Sequence, residues 1–209
     1  MRLLLLALAF LAGPVAAQTI RATTEEGRPV LLRRDGTWVY EGNEAAGTSE
    51  TRERRVVERP EEATQLVRGD RRLYGVWHTD EWRQEAEVDN EDADFGLEHE
   101  SEALYALAIS ERTPFPLEVM RDIALRNAED AASDVHLVFE EPRTVNGADV
   151  LYIEFEGMLE GAVSITFQVT FYSDDRGTVQ FMTWTATQLL DEVGPAIEAL
   201  HRGIVVFED

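Results

Sequence analysis

Cysteine is absent from this chain of 209 residues. Its absence excludes a disulfide framework, a thiol nucleophile, a cysteine-ligated zinc ion and a lipid-bearing N-terminal cysteine. Lysine is absent too, so arginine supplies all 19 basic side chains. Hydrophobic residues make up 44% of the chain, which is enough to bury a core without covalent cross-links. Packing and hydrogen bonds must therefore hold the fold together.

Sequence motifs of known catalytic sites are also missing. The chain has no Gly-x-Ser-x-Gly motif, which places the nucleophilic serine of many hydrolases at a sharp turn. Its four histidines lie far apart, without the short spacing that helical zinc sites use: His78, His99, His136 and His201. We therefore expect no catalytic residue, no cofactor and no metal ligand, and we interpret the chain as a protein that is not an enzyme.

The charge balance is strongly acidic. Aspartate and glutamate contribute 41 residues against 19 arginines, which gives a formal net charge of -22 at pH 7. Such a field repels phosphate backbones and anionic lipid surfaces, whereas it attracts cations and basic protein surfaces. Nucleic acid is thus excluded as a partner, and a protein with a basic patch is favoured.

The first residues have the pattern of a secretory leader. Arg2 is followed by an uncharged apolar run from Leu3 to Ala12, and small residues precede Gln18. This run is about half of the roughly 20 apolar residues that a membrane-spanning helix needs. The pattern predicts a signal peptide over residues 1–17, cleaved after Ala17, and hence a periplasmic or secreted protein without a membrane span. The alternative is a short buried helix at the N-terminus of a cytosolic protein.

The remainder divides into three parts by composition. Residues 18–42 predict a short β-hairpin unit, because an Asp35-Gly36 turn separates two runs of β-favouring residues. Residues 43–72 have few large apolar side chains and many charged ones, which predicts an arginine-rich linker with a short helix from Pro60 to Val67. Residues 73–209 carry the regular apolar patterns of a folded domain.

This main domain is predicted to contain a series of strands and two helices. The patterns place strands at Tyr74 to Trp82, Phe95 to Glu100, Leu104 to Ser110, Val135 to Pro142, Val150 to Glu156, Ala162 to Tyr172, Thr178 to Ala186 and Ile204 to Phe207. One helix follows Pro114-Phe115-Pro116, and a second spans Leu189 to Arg202 and stops at Gly203. An antiparallel sheet with helices packed on it is an α+β architecture.

One of these strands has apolar residues on both of its faces. Val179 and Phe181 share one face, and Met182 and Trp184 share the other. We therefore expect this strand to be central and covered on both sides. The chain has four tryptophans, Trp38, Trp77, Trp82 and Trp184. We expect them to fill the core rather than to line a ligand pocket.

Several turns and core positions of residues 74–207 resemble a known group of proteins. They are Gly75-x-Trp77, Val145-Asn146-Gly147, Gly157-x-x-x-Gly161, Tyr172-Ser173, Gly177-Thr178-Val179-Gln180 and the helix end at Gly203. In this order they resemble exported bacterial members of the PsbP/Mog-like superfamily, whose function is unknown. The resemblance implies an α-β-α sandwich on an antiparallel sheet and a role in binding or assembling other proteins. It assigns no functional residue.

The densest group of like charges lies between residues 85 and 102, where no arginine interrupts the acids. Its members are Glu85, Glu87, Asp89, Glu91, Asp92, Asp94, Glu98, Glu100 and Glu102. Three interpretations are open: a solvated acidic loop, a surface that docks a basic partner or the chain's own arginine-rich linker, and a site for a hard cation such as Ca²⁺. The calcium-loop pattern is not met, because Phe95 replaces the turn glycine and Ser101 replaces the bidentate acid.

These observations favour an exported, non-enzymatic protein that serves as an interaction or accessory module of the cell envelope. We expect its partner to be another envelope protein with a basic patch, bound by the acidic stretch. The alternative is a protein that binds a small molecule or a divalent cation, since an acidic surface also concentrates cations. The sequence leaves the oligomeric state open.

Overall fold

The computed structural model describes the chain in two units, which adjoin in sequence between Arg52 and Glu53. The described residues are 20–23, 29–32, 38–40, 54–69, 73–86, 88, 90–100, 103–159 and 163–207. In the N-terminal unit, β1 (Ile20–Thr23), β2 (Pro29–Leu32) and β3 (Trp38–Tyr40) form an antiparallel sheet in that order. These strands lie where the sequence predicts β structure. The predicted leader, residues 1–17, lies outside the described residues.

The C-terminal unit contains two sheets and two helices. Its strands are β4 (Arg55–Val57), β5 (Gln65–Arg68), β6 (Tyr74–His78), β7 (Trp82–Gln84), β8 (Ala93–His99), β9 (Leu104–Glu111), β10 (Ser133–Val145), β11 (Ala148–Leu159), β12 (Val163–Asp174), β13 (Gly177–Ala186) and β14 (Ile204–Val206). The helices are α1 (Leu117–Ala131) and α2 (Leu190–Arg202), and a short 3-10 turn at Thr187–Leu189 precedes α2. None of the described helices is long and apolar enough to cross a membrane.

Eight of the strands form one sheet in the order β4-β10-β11-β12-β13-β9-β8-β7. Every neighbouring pair is antiparallel except β4 and β10, which are parallel. The expectation of a single antiparallel sheet is therefore incomplete, because β14, β6 and β5 form a second, three-stranded sheet. β14 lies at an edge, as predicted for the last strand.

A helix packs on each face of the large sheet, because successive side chains of a strand point to opposite sides. Met120 and Ala124 of α1 pack with Ile153 and Phe155 of β11 in one apolar cluster. Other apolar side chains form a second cluster, which joins α2, the small sheet and the opposite face of the large sheet: Val193, Ile197, Leu200, Val76, Ile204, Phe181 and Leu97. This arrangement is the predicted α+β sandwich.

The predicted linker and its helix are wrong for the described residues of that segment. Residues 55–57 and 65–68 form strands, and a turn closed by the Ala63 N–H and the Pro60 carbonyl replaces the helix. The arginines that suggested a solvated linker make contacts instead. Arg55 lies 2.9 Å from Glu198, and the guanidinium of Arg59 lies 4.3 Å from the centre of the Trp77 ring. The folded unit therefore begins before Leu73.

The expectation that β13 is covered on both faces holds for one face only. Val179 and Phe181 are buried on the α2 side. Met182 and Trp184 on the other side remain half-buried, because α1 lies mainly over β10, β11 and β12. Met182 packs at the margin of the same apolar cluster as α1. The strand is central in the sheet, but part of its second face is open.

The first half of β10 is an irregular sheet edge. β4 pairs only with Arg143 to Val145, which leaves residues 133–142 without a partner on that side among the described strands. The pairing with β11 shifts register twice, between Ser133 and His136 and between Leu137 and Phe139. The neighbouring apolar side chains Leu137, Val138 and Phe139 are 40%, 48% and 42% exposed.

Candidate functional site

A groove of about 480 Å³ lies between the two sheets of the C-terminal unit. It is bordered by β5, the outermost strand of the small sheet, and by β7, the outermost strand of the large sheet. Gln65 to Val67 form one wall, Asp80 to Gln84 form the other, and Glu98 and Glu100 complete it. The groove therefore lies between two sheet edges. The backbone N–H and C=O groups along a sheet edge have no neighbouring strand with which to pair.

The hydrogen-bond pattern identifies which backbone groups face the groove. On β7, the Glu85 N–H donates to the Gly96 carbonyl at 3.0 Å. Because antiparallel residues alternate between facing their partner and facing away, the N–H and C=O of Gln84 point outward. On β5, the Gly69 N–H donates to Tyr74 at 3.1 Å, so the same alternation turns the backbone of Arg68 and Leu66 outward.

The groove is negatively charged. Asp80, Glu81, Glu98 and Glu100 line it, and Arg83 is the one basic side chain among its described lining residues. A guanidinium nitrogen of Arg83 lies 2.6 Å from a carboxylate oxygen of Glu98, which neutralises one of the four acids. The remaining three carboxylates attract cationic groups, most strongly at low salt.

Aromatic and imidazole rings support the wall of the groove from below. The Trp82 side chain is buried and meets the His99 ring edge-on, with centroids 4.9 Å apart. The Nδ1 atom of His78 lies 2.8 Å from the Thr79 carbonyl oxygen. A carbonyl can only accept, so His78 carries a proton on Nδ1. These contacts hold the Asp80-Glu81 turn in place.

The structure divides the predicted acidic patch of residues 85–102. Glu98 and Glu100 reach the groove, whereas Glu91 and Asp92 are exposed at a turn before β8. Glu87, Asp89 and Glu102 lie outside the described residues.

Two further acids of this stretch have local contacts. The Glu85 carboxylate lies against Gly96, on the strand next to its own. The Asp94 carboxylate accepts a hydrogen bond of 2.7 Å from the Tyr74 hydroxyl, which ties β8 to the small sheet. Asp94 therefore has a structural contact, and the patch is not one continuous surface.

Two acids of the groove, Asp80 and Glu81, lie outside the predicted patch. They belong to the turn between β6 and β7. The Glu100 N–H donates to the Glu81 carbonyl at 2.9 Å, so Glu81 and Glu100 face each other across the β7–β8 pair. The sequence reveals that Glu81 and Glu100 are neighbours only if the pairing of Trp82 with His99 is recognised.

A cation site and docking of the chain's own arginine-rich segment receive no support from the described residues. Within them, no group of three or more histidine, aspartate or glutamate side chains is placed to hold a metal ion. The chain's own arginine-rich segment contacts other acids, because Arg54 pairs with Asp149 and Arg55 pairs with Glu198.

A separate network of hydrogen-bonded polar side chains lies on the large sheet beneath α2. His201, which is fully buried, lies 2.8 Å from the Thr170 hydroxyl and 3.0 Å from the Thr183 hydroxyl. Thr183 donates to the Gln168 side-chain oxygen at 3.0 Å. The Gln168 amide in turn donates to the Glu154 carboxylate. Each buried polar group is satisfied by the next, as a structural network requires.

A buried arginine closes the same face. Arg143 lies over the Tyr152 ring at 3.7 Å and bonds to Glu141 at 2.6 Å and Glu198 at 3.1 Å. Burial, reinforced by the charge of Glu154, raises the pKa of Tyr152. The tyrosine therefore stays neutral, and this cluster fixes α2 on the sheet.

Comparison with known proteins gives a fold rather than a family. No family model and no curated protein matches the chain. It is similar in structure to cyanobacterial PsbP (CyanoP) from Synechocystis sp. PCC 6803, with a TM-score of 0.55 and 12% identity over 68% of this chain and 92% of that one. At this identity the likeness concerns the fold alone, and it confirms the predicted PsbP-like sandwich. The Mog-like relationship stays a prediction.

Two further solved structures are more distant. A protein of unknown function from Pseudomonas aeruginosa, PA94, a putative regulator, has a TM-score of 0.44 and 12% identity over 69% of this chain and 98% of that one. LpqN, involved in cell envelope biogenesis of Mycobacterium tuberculosis, has a TM-score of 0.44 and 7% identity over 65% and 83%.

Proposed function

We propose that this chain is an exported, non-enzymatic accessory module that binds an extended, basic segment of another cell-envelope protein. The acidic groove between the edges of β5 and β7 carries this proposal. A segment that adds a strand to a sheet edge gains main-chain hydrogen bonds, and its alternate side chains determine specificity. Arginine or lysine at those alternate positions would meet the carboxylates of the groove.

Export is supported by the leader pattern of residues 1–17 and by the complete lack of cysteine, which leaves no thiol to be oxidised outside the cytoplasm. The net charge of -22 supports a basic partner rather than a nucleic acid or an anionic membrane. Strand addition suits an accessory role, because the partner keeps its own fold and lends only one segment.

Charge removal, in the probe and in the groove, tests the proposal. The probe is a fluorescent peptide of alternating arginine and valine, with a glutamine–valine peptide of the same length as its uncharged counterpart. We expect the arginine peptide to bind at low salt and to dissociate as salt is raised. The double variant Glu81→Gln/Glu100→Gln should bind it about fivefold to tenfold more weakly, because exposed ion pairs contribute roughly 0.2–1 kcal/mol each.

The matched control removes two acids elsewhere. Asp191 and Glu192 are exposed in the first turn of α2, and they are absent from the described lining of the groove. The variant Asp191→Asn/Glu192→Gln has the same net charge as the groove variant and should retain nearly all of the binding. Equal losses in both variants would mean that the peptide senses only the total charge, which contradicts a defined groove.

Proline substitutions distinguish the two edges, because proline has no backbone N–H to donate. Replacing Gln84 removes an outward N–H from β7, and replacing Leu66 removes one from β5, without breaking a hydrogen bond inside either sheet. Loss of peptide binding in one variant identifies the edge that accepts the strand. Unchanged binding in both variants would contradict strand addition.

A further inference from the structure

A second cavity, of about 360 Å³, lies on the opposite face of the large sheet. It is enclosed by the C-terminal half of α1 and by β11, β12 and β13. Met120 in the first half of the helix is buried against the sheet. In the second half, Ala124, Ala128 and Ala131 are the side chains that face the cavity. Ala124 packs on the sheet and Ala128 lies against the same cluster, but alanine side chains are short, so a space remains between the two layers toward the end of the helix.

Four aromatic side chains form a row on this face of the large sheet, and two of them, Phe155 and Phe167, line the cavity. Phe155, Phe167, Trp184 and Tyr105 lie on four neighbouring strands, and each is directly opposite the next in register. The Phe155 and Phe167 rings stack with centroids 4.9 Å apart and planes 13° apart. The Tyr105 and Trp184 rings stack at 5.6 Å and 23°. The result is an aromatic platform made of two stacked pairs of rings.

Only one end of this platform is covered. Phe155 is buried beneath α1, whereas Phe167, Trp184 and Tyr105 are half-buried. Met182 lines the cavity beside Phe167. A methionine side chain is flexible and polarizable, so it adapts to an occupant and contacts aromatic rings favourably. The half-open face of β13, which α1 covers only in part, thus offers a binding surface.

The polar groups of the cavity are neutral. Three carboxamides line it, from Asn90, Asn127 and Gln180, and no ionisable side chain is among its described lining residues. This composition is unusual in a chain of which 29% is charged. The oxygen of Asn90 accepts a hydrogen bond of 2.9 Å from the Asp92 N–H, which fixes that carboxamide.

We propose that this cavity binds a neutral, flat, hydrophobic small molecule that carries a hydrogen-bonding group. Its rings would lie on Phe155 and Phe167, and its polar group would meet a carboxamide. A charged ligand would lose its hydration without gaining a counter-charge in the cavity. The volume falls within the range of about 300–1,000 Å³ that is common for ligand sites. This site is on the opposite face from the acidic groove and does not depend on it.

Two dyes with the same ring system test the charge preference. N-phenylnaphthylamine is neutral and has an N–H group, and anilinonaphthalene sulfonate adds one negative charge to the same rings. We expect saturable binding of the neutral dye to one site, with quenching of tryptophan emission that is smaller in the Trp184→Phe variant. The sulfonate dye should bind at least about tenfold more weakly. Equal binding of the two dyes, or binding that does not saturate, would overturn the proposal.

Cavity filling locates the site. Ala128→Leu places a larger side chain in the space above Phe155, and should weaken the binding of the neutral dye by about tenfold or more. Glu129→Leu introduces the same residue on the exposed side of the same helix and should change the affinity less than about twofold. Wild-type affinity in the Ala128→Leu variant would overturn the proposal.

A second variant covers the case in which Ala128→Leu does not fold. Gln180→Met removes a carboxamide with little change in volume, and should weaken the neutral dye by about threefold or more through loss of a hydrogen bond. Unchanged affinity there would contradict the assigned polar contact. The groove variant Glu81→Gln/Glu100→Gln should bind the dye as the wild type does, so failure of one proposal is distinguishable from failure of the other.

Discussion

The Nε2 atom of His201 donates its hydrogen to the Thr183 hydroxyl, 3.0 Å away, and this contact fixes the state of the ring. Thr183 gives its only hydrogen to Gln168, so its oxygen must accept from the histidine. The other ring nitrogen, Nδ1, then accepts from the Thr170 hydroxyl. Each hydrogen is used once, which requires a neutral imidazole with its proton on Nε2.

Loss of this ring should destabilise the fold. In His201→Leu, two buried hydroxyls lose their partner, and we expect the free energy of unfolding to fall by about 2–4 kcal/mol. The control is His136→Leu, because His136 is exposed and bonds locally to the Asp134 carbonyl. That change should stay within about 0.5 kcal/mol. Urea unfolding measures both, and equal losses would contradict the role of the buried ring.

The same histidine should make the fold sensitive to acid. Burial, with a smaller effect of the Arg143 charge, lowers the pKa of His201 from 6.5 to about 3. Between these values the unfolded chain binds the proton and the folded chain does not, so stability falls as the pH falls. The slope from this residue reaches at most about 1.4 kcal/mol per pH unit. His201→Leu should lose this component, and parallel pH curves for the two proteins would contradict it.

Glu154 should have the opposite effect on how stability depends on pH. Burial and the neighbouring charge of Glu156 raise the pKa of its carboxyl, although a hydrogen bond from Gln168 offsets part of the rise. A raised pKa means that the folded chain holds this proton more tightly than the unfolded chain, so stability declines as the pH rises through the interval between the two pKa values. Glu154→Gln should therefore raise the melting temperature at neutral pH.

The pH dependence checks the cause of that gain. The gain should vanish at a pH below the unfolded pKa of a glutamate, where both forms are neutral. Glu62→Gln, at an exposed position in the turn before β5, serves as the control and should leave the melting temperature nearly unchanged. A gain that persists in acid would show that charge at Glu154 is not its origin.

Asn146 should be required at the turn between β10 and β11. Its φ of 48° lies in the left-handed region, and its side-chain nitrogen donates to the carbonyls of Arg202 at 2.8 Å and Ile204 at 2.6 Å. Asn146→Asp would turn a carboxylate toward these carbonyls and should reduce stability by about 2–4 kcal/mol. Asn146→Gly keeps the turn conformation and should lose less. Thermal unfolding that ranks the two variants the other way would contradict this assignment.

Two glycines near the end of the chain should respond differently to alanine. A Cβ atom at Gly203 would collide with the Trp77 carbonyl, whereas a Cβ atom at Gly194 in α2 meets nothing within 4 Å outside its chain neighbours. We expect Gly203→Ala to be strongly destabilising, because the backbone of β6 would have to move. Gly194→Ala should change stability by less than about 1 kcal/mol, because the gain in helix propensity is offset by the restriction that Pro195, the next residue, places on a residue with a Cβ atom. Equilibrium unfolding distinguishes them, and similar effects would be inconsistent with this packing.

Local patterns predict the middle of the large sheet well and its margins poorly. The strands β10 to β13 are long and adjacent in sequence, so alternation and the Asn146-Gly147 turn define them. β4 and β5 have three and four residues, and their partners lie far away or across a loop. Short segments of this kind acquire their structure from tertiary pairing, which composition does not report.

The same limit applies to the sites. The acidic stretch predicts negative charge, but the groove combines two of its residues with Asp80 and Glu81 and with the edge of β5. Periodicity shows that Met182 and Trp184 share a face of β13, but not that α1 stops short of covering them. Which layer lies above a face is determined by helix placement, which depends on contacts distant in sequence.

The irregular half of β10 has a consequence for how the molecule behaves in a crowded compartment. A straight, unpaired strand with Leu137, Val138 and Phe139 exposed would be a template on which further copies could stack into fibres. The two register shifts kink the backbone and interrupt its row of hydrogen-bonding groups. Deleting one residue at the second shift would straighten this edge, and self-association into aggregates would then compete with folding.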